Sequence, residues 1–263
     1  MGGELTACRS YTFAGYFGFS PNSIAIYERY PWGGLAEYMV APAYAAARLP
    51  DSVSFDQAAR LGYLGTGFAA MRRSAFGGET IALVTGASGT LGLGAVISGL
   101  ALGFRKILAV ARDPELLAQV KAIDPRRIEV RSTRDGPIHD WVLGHTDGEG
   151  ADIAVDCLPS FAPYAVLLEA LNSVRRGGIM VNAGGVLGEV PVRLQDLMVR
   201  HISLLGSAWF TPRDMREMMA LAESGLLHLS VFEHEASPLE RINEAMEGMD
   251  SRRGGFSNFV IHP

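Results

Sequence analysis

The chain has 263 residues, of which 48% are hydrophobic and 19% charged, a composition typical of a globular protein with a substantial core. Its formal net charge of −5 creates no basic field, so we expect no nucleic-acid partner. No apolar run approaches the ~20 residues of a membrane helix. We therefore expect neither a membrane partner nor a signal peptide. With only two cysteines, Cys8 and Cys157, we expect no disulfide framework and a cytoplasmic location.

From about residue 80, short apolar runs alternate with longer amphipathic runs. Apolar runs bounded by turn residues predict strands. A period near 3.6 residues predicts a helix, as at Leu116, Val120 and Ile123. The predicted strands are 81–86, 106–112, 127–132, 151–158 and 179–185, and the predicted helices are 91–103, 114–123, 136–146 and 164–178.

The alternation of strands and helices defines the predicted fold class. Strands that are apolar on both faces and are separated by helices are typical of a parallel sheet covered on both sides. We therefore expect an α/β fold with a doubly wound parallel sheet over residues 55–230. The flanking segments 1–54 and 231–263 are expected to come together as a smaller second body.

The two flanking segments contain different patterns. Pieces of residues 33–50 resemble strands that are interrupted by Pro42 and Pro50. The C-terminal segment predicts a strand, a helix over 239–249 and a last strand, FSNFVIH. These patterns predict a small, strand-rich body.

The segment VTGASGTLGLGA (84–95) joins the first predicted strand to the first predicted helix. Gly86, Gly89 and Gly92 follow a G-x-x-G-x-x-G spacing, and Ser88 and Thr90 add hydroxyl groups. A dinucleotide pyrophosphate binds the backbone N–H groups at a helix N-terminus, where a Cβ would hold the phosphates away. The pattern predicts a dinucleotide site, the alternative being a tight turn that binds nothing.

The end of the second predicted strand bears on the choice between NAD and NADP. An acidic residue there binds the ribose 2′-hydroxyl, whereas an arginine accepts a 2′-phosphate. Here Ala111 occupies the acidic position and Arg112 follows. Asp113 can pair with Arg112 or cap the helix that begins at Pro114. We expect NADP(H), with NAD(H) as the alternative. It also stays open whether Arg112 is only a solvent-exposed residue with no role in cofactor binding.

An ordered set of segments resembles the medium-chain dehydrogenase/reductase superfamily, and within it the zinc-type alcohol dehydrogenases. The resemblance covers about residues 30–263. The segments are GGLAEYMVAP (33–42), LPDSVSFDQAARLGYLGTGFAAM (49–71), VTGASGTLG (84–92), GEGADIAVDCLP (148–159), RRGGIMVNAGG (175–185) and ISLLGSAWFT (202–211).

The resemblance implies a Rossmann domain and a catalytic domain with a GroES-like β-barrel, here partial and made from both chain ends. It implies hydride transfer between a nicotinamide and a small alcohol or carbonyl substrate, and a homodimer. Thr66 matches a position on the nicotinamide side, and Arg112 lies by the adenosine ribose. The other implied cofactor residues are Gly86, Ser88, Gly89, Thr90, Leu91 and Gly92 at the pyrophosphate, and Ala183, Gly184, Gly185, Gly206 and Ser207 at the nicotinamide.

Zinc is the metal that the family implies, and a catalytic zinc takes three protein ligands. The resemblance places early ligands in a cysteine and a Gly-His-Glu segment that this chain lacks, and a later one at Tyr63. We therefore expect a shortened chain with no metal site, and no metal role for His228 or His234.

The missing ligands leave two further alternatives to a shortened alcohol dehydrogenase. One is a zinc-free reductase of enones or quinones, in which the Tyr63 phenol can assist catalysis, although a core role for Tyr63 is the alternative. The other is a fragment that binds a dinucleotide without catalysis.

Overall fold

The computed structural model describes residues 6, 8, 10–12, 21–73 and 77–263. The strands of its main sheet are β1 (Ile81–Thr85), β2 (Lys106–Ala111), β3 (Ile128–Ser132), β4 (Ala151–Asp156), β5 (Val174–Asn182) and β6 (Ser203–Gly206). All neighbouring strands are parallel, in the order β3-β2-β1-β4-β5-β6. This is the Rossmann order, in which the winding reverses between β1 and β4, and it confirms the expected doubly wound fold.

Helices cover both faces of the sheet. Adjacent residues of β1 point to opposite sides, so Leu83 belongs to one hydrophobic cluster and Val84 to the other. Among the described residues, the α-helices are α1 (Ile24–Arg29), α2 (Phe55–Ala58), α3 (Leu61–Met71), α4 (Thr90–Ala101), α5 (Pro114–Ile123), α6 (His139–Gly144), α7 (Tyr164–Asn172), α8 (Leu194–Arg200), α9 (Pro212–Glu223) and α10 (Ile242–Ser251).

Helix α3 was not among the predicted elements, and it packs closely on α4. A Cβ on Gly67 would lie 2.5 Å from the backbone nitrogen of Ala95, and a Cβ on Gly94 would lie 3.0 Å from Leu64 Cα. The two helix backbones can approach this closely only because both positions are glycine. The contact places the N-terminal half of α3 beside the first turns of α4.

The predicted helix 164–178 is too long, and the strand after it begins earlier than predicted. Val174 pairs with Ala151, and Ile179 pairs with Ile153, so residues 175–178 form a bulge opposite Asp152. Gly177 adopts a φ of 73°, which glycine reaches without strain. Arg175 Nε donates to Asp152 Oδ1 over 2.5 Å, so the bulge is tied back to β4.

The expected strands within residues 33–50 are wrong. The described structure there has irregular backbone and a 3₁₀ turn at Ala43–Ala45. A strand needs a neighbouring backbone to bond with. In the described residues, β7 (Glu233–Pro238) and β8 (Ser257–His262) pair in parallel with each other and with no part of 33–50. Of the expected partial barrel, the described residues contain this two-stranded sheet.

The C-terminal strand–helix–strand unit, β7–α10–β8, agrees with the predicted pattern. It also meets the early part of the chain, since His262 Nε2 lies 2.8 Å from Asp56 Oδ1. The proposed division at residues 54 and 230 stays a prediction. In the described part of the chain, no helix combines the length and the apolar character that a bilayer crossing demands.

Candidate functional site

The carboxyl ends of four parallel strands form a row at one edge of the sheet. Thr85 is in register with Asp156, Asp156 with Asn182, and Asn182 with Gly206. Open α/β sheets bind ligands outside this edge, at the point where the winding reverses. The predicted site residues that lie at this edge or follow it directly are Gly86, Ala183, Gly184, Gly185, Gly206 and Ser207.

The glycine loop, residues 86–92, turns from β1 into α4. Gly86 adopts a φ of +67°, and a Cβ there would lie 2.5 Å from Cys157 O. A Cβ on Gly92 would overlap Gly86 O. A Cβ on Gly89 would meet only Gly86 O, at 3.3 Å, among the described atoms within 4 Å. The fold itself therefore requires glycine at 86 and 92, whereas at 89 a Cβ would be tight against one backbone oxygen and would meet no other described atom within 4 Å.

The first turn of α4 presents free N–H groups next to this loop. Gly89 is the N-cap, and Leu93 N is the first to donate to it, over 2.8 Å. The N–H groups of Thr90, Leu91 and Gly92 therefore have no acceptor within the helix. They lie at the positive end of a twelve-residue helix, so the turn favours an anion.

Two arginines lie beside this helix N-terminus. Arg252 donates from Nη2 to Thr90 Oγ1 over 3.2 Å, and Arg60, only 4% exposed, donates to Gly255 O. Within the described structure, neither guanidinium pairs with a carboxylate. Burial, and then the charge of Arg252, lowers the pKa of Arg60 to about 10. The positive charge at this end of α4 is therefore uncompensated, which fits a phosphate group.

The segment that carries Arg252 rests directly on the glycine loop. Gly255 N donates to Ser88 O over 2.8 Å, and a Cβ on Gly255 would lie 2.6 Å from Gly89 O. Sequence reasoning missed this segment and Arg60. The signal available in the sequence was the run RRGG before the last strand, which combines charge with two residues that permit close backbone approach.

At the end of β2, Asp113 does not pair with Arg112, which was one of the two alternatives. Asp113 caps α5, accepting from Glu115 N over 2.9 Å, and it pairs with Arg253 over 2.8 Å rather than with Arg112. The hydrogen bond from Arg253 lowers the pKa of Asp113. Arg112 is exposed, and its side chain makes no hydrogen bond or ion pair with any described residue. The guanidinium of Arg112 is therefore available at the predicted ribose position.

A buried carboxyl, that of Asp156, lies at the end of β4 against the predicted nicotinamide loop. Asp156 is fully buried, and Thr85 Oγ1 donates to its Oδ1 over 2.7 Å. Its Oδ2 has no hydrogen-bond partner in the described structure and lies 2.5 Å from where a Cβ on Gly184 would be. Burial raises the pKa of Asp156. Only glycine fits at 184, so the predicted nicotinamide loop lies tightly against β4.

The structure places the two predicted catalytic side chains on α3. Tyr63 is 64% exposed, so the alternative that it is a core residue is wrong. Among the described residues nothing hydrogen-bonds its hydroxyl. Thr66 donates to Gly62 O over 3.3 Å, a bond within its own helix. The catalytic roles of Tyr63 and Thr66 stay predictions.

The donor set of the described residues does not fit a catalytic zinc. Within the described ranges, no three or more His, Cys, Asp or Glu side chains are grouped closely enough to hold a metal ion. Burial, together with Asp156, raises the pKa of the Cys157 thiol well above its usual range, which disfavours the thiolate that binds metal. The described residues therefore do not supply a catalytic zinc site.

Comparison with known proteins places these features in context. Residues 90–224 match the family described as zinc-binding dehydrogenase. An L-idonate 5-dehydrogenase from Vitis vinifera is 30% identical over 206 residues, which are 78% of this chain and 52% of that protein. A quinone oxidoreductase from Homo sapiens is 28% identical over 237 residues, which are 87% of this chain and 69% of that protein.

A solved structure shares the fold. Alcohol dehydrogenase TADH from Thermus sp. ATN1 superposes with a TM-score of 0.78 at 23% identity, covering 94% of this chain and 69% of that one. The chain spans between about half and just over two thirds of the length of these relatives. From the family match and the shared fold, the chain belongs to the zinc-binding dehydrogenase family, within the alcohol dehydrogenase-like branch of the medium-chain dehydrogenase/reductase superfamily.

Proposed function

We propose that the chain is an NAD(P)(H)-dependent oxidoreductase of the alcohol dehydrogenase type, acting on a small alcohol or carbonyl compound. The observation that carries this proposal is the first turn of α4, which begins at the N-cap Gly89. Three N–H groups of α4 that have no acceptor within the helix lie there beside the guanidinium of Arg252, which forms no ion pair with a described carboxylate. A pyrophosphate supplies the negative charge and the acceptor oxygens that this arrangement lacks.

In this proposal, the residues act by binding and orientation. The N–H groups of Thr90, Leu91 and Gly92 hold the pyrophosphate, with Ser88 and Gly89 beside it. Arg112 faces the adenosine ribose. Bound nicotinamide supplies the hydride chemistry. The residues that border the nicotinamide are Ala183, Gly184, Gly185, Gly206 and Ser207, with Thr66 on α3.

A single substitution tests the cofactor site. Gly89→Ala adds a methyl group to the loop, and among the described atoms within 4 Å this group meets only Gly86 O, in a tight contact of 3.3 Å. We expect it to fold and to weaken ADP and NADPH binding by about tenfold or more, because a lost charge-assisted contact is worth roughly 1.5–3 kcal/mol. Calorimetric titration measures both affinities.

Gly144→Ala is the matched control, since a Cβ there meets no described atom within 4 Å. Its nucleotide affinity is expected to equal that of the wild type. Unchanged affinity in Gly89→Ala would contradict the assigned site. A wild-type chain that binds neither NADPH nor NADH at millimolar concentration would overturn the proposed function.

A zinc-free reductase of enones or quinones is the second candidate. It is favoured by the exposed Tyr63 phenol and by the lack of a fitting zinc donor set in the described residues. A quinone oxidoreductase is also among the relatives. Tyr63 would then donate a hydrogen bond to the developing enolate. Reduction of a quinone by NADPH that survives EDTA and falls in Tyr63→Phe supports this candidate. Absence of turnover with both alcohol and enone substrates favours a non-catalytic dinucleotide-binding role instead.

We further propose that the chain forms a homodimer through the edge strand β6. In the described residues β6 pairs only with β5, so its outer backbone groups lack a strand partner. Exposed apolar side chains lie in β6 and in α8, the helix that precedes it, which favours burial against a second copy. They are Leu194, Met198, Val199 and Leu204.

A further inference from the structure

An ion-paired cluster connects the C-terminal segment to the predicted ribose position. Arg253 follows α10, and its Nη2 lies 2.8 Å from Asp113 Oδ2 and 3.0 Å from Glu115 Oε2. Both acids belong to the N-terminal turn of α5, which directly follows Arg112. The contact therefore joins residues about 140 positions apart in the chain.

The backbone of the same segment fixes where Arg253 lies. Gly254 adopts a φ of +69°, and a Cβ there would lie 2.9 Å from a methyl carbon of Leu116. Gly255 N donates to Ser88 O over 2.8 Å. Gly254 and Gly255 are thus held against α5 and the glycine loop, so the backbone of Arg253 has a fixed position next to the two acids.

The charges in this cluster balance. Arg112 and Arg253 are positive, and Asp113 and Glu115 are negative. Without Arg253, the two acids would outnumber Arg112 beside the ribose, and they would repel an added phosphate. Asp113 is also the competing partner for Arg112, and the structure shows it engaged by Arg253 instead.

We propose that Arg253 is a specificity-determining residue that favours a 2′-phosphorylated adenosine ribose, and hence NADP(H) over NAD(H). It does so by neutralising Asp113 and Glu115, which leaves the guanidinium of Arg112 available for the phosphate. This inference rests on the proposed function, since it assumes that the dinucleotide lies along the glycine loop.

Two nucleotide fragments isolate the effect from catalysis. Calorimetry at low salt compares 2′,5′-ADP, which carries the extra phosphate, with 5′-ADP, which lacks it. In Arg253→Ala, we expect the preference for 2′,5′-ADP to fall about threefold, because one exposed charge is changed near a phosphate. Adding Glu115→Gln to that variant is expected to restore most of the preference.

Arg241→Ala is the matched control. Arg241 is likewise an exposed arginine paired with a nearby acid, Glu244, but its ion pair involves neither acid of α5. Glu115→Gln alone serves as a second variant, and it is expected to raise the preference for 2′,5′-ADP.

The outcomes separate the two proposals. If the wild type binds neither fragment, the proposed function fails. If it binds both and the preference is unchanged in Arg253→Ala and in Glu115→Gln, the role of Arg253 is overturned while the cofactor site stands. A higher preference for 2′,5′-ADP in Arg253→Ala would also overturn that role.

Discussion

At the scale of single residues, Asp156 combines a buried position with an ionisable group. Its carboxyl lies at the end of β4, beside the point where the winding of the sheet reverses. It accepts one hydrogen bond from Thr85, whereas its Oδ2 finds no partner in the described part of the chain. A charged carboxylate is costly in such surroundings, which is why burial raises its pKa.

The raised pKa predicts a dependence of stability on pH. The folded state holds the Asp156 proton to higher pH than the unfolded state, where the pKa is near 3.8. The stability from the neutral carboxyl is therefore present below that pH and is lost as pH rises through the raised pKa. We expect the free energy of unfolding of Asp156→Asn, relative to wild type, to rise over this interval by about 1.4 kcal/mol per pH unit.

Urea unfolding of both proteins between pH 4 and pH 8 measures this difference. A buried carboxyl commonly titrates within this interval of ~4 pH units. Titration of the other carboxylates is common to both proteins and cancels. A difference that stays constant, or that falls as pH rises, would show that Asp156 is charged in the folded protein.

At the scale of elements, α3 and α9 are held together at their ends. Asp214 accepts from Thr211 N over 2.8 Å, which completes a capping box at the start of α9. Its second oxygen accepts from Arg72 Nη1, at the end of α3, over 2.7 Å. One carboxylate thus caps one helix and binds another, and the helix pair positions Tyr63 and Thr66 on the same side of the sheet as α4.

Removal of this carboxylate tests its contribution to stability. We expect Asp214→Ala to lower the free energy of unfolding by about 2 kcal/mol, because it removes a helix cap and leaves Arg72 with one partner fewer. The matched control is Arg213→Ala, which loses only an exposed pair with Glu217 and is expected to cost about 0.5 kcal/mol or less. Urea denaturation measures both, and equal losses would contradict the linking role.

At the scale of the whole molecule, the exposed edge strand β6 is the surface through which the proposed dimer would form. An unpaired strand beside apolar side chains is a template for pairing with a second strand. Leu204 is 43% exposed at the centre of β6. If two copies pair here, the two six-stranded sheets join into one continuous sheet, and the glycine loops stay accessible at their own strand ends.

Sedimentation velocity at micromolar concentration tests this arrangement. We expect the wild type to sediment as a dimer and Leu204→Lys to sediment as a monomer, because a charge would be buried at the interface. Leu226→Lys is the control, since Leu226 is exposed in the turn after α9 and is expected to leave the dimer intact. A monomeric wild type, or a dimeric Leu204→Lys, would contradict the proposed interface.

Five of the six strands of the parallel sheet and the position of the glycine loop could be predicted from the sequence, whereas β6 was not predicted. Both depend on patterns that are local in the chain: apolar runs, helical periodicity and glycines at a fixed spacing. Capping of α5 by Asp113 was also predictable, since an N-cap bonds only to the residues that follow it.

The surroundings of the glycine loop follow from the tertiary structure alone. Arg252 contacts Thr90 across 162 positions, and Arg253 contacts Asp113 across 140. The tertiary structure also shows that Tyr63 is exposed and that residues 33–50 have no strand partner in the described structure. The physical reason is the same in each case: a charge or a strand acquires its role from its neighbours in space, and these neighbours are distant in the sequence.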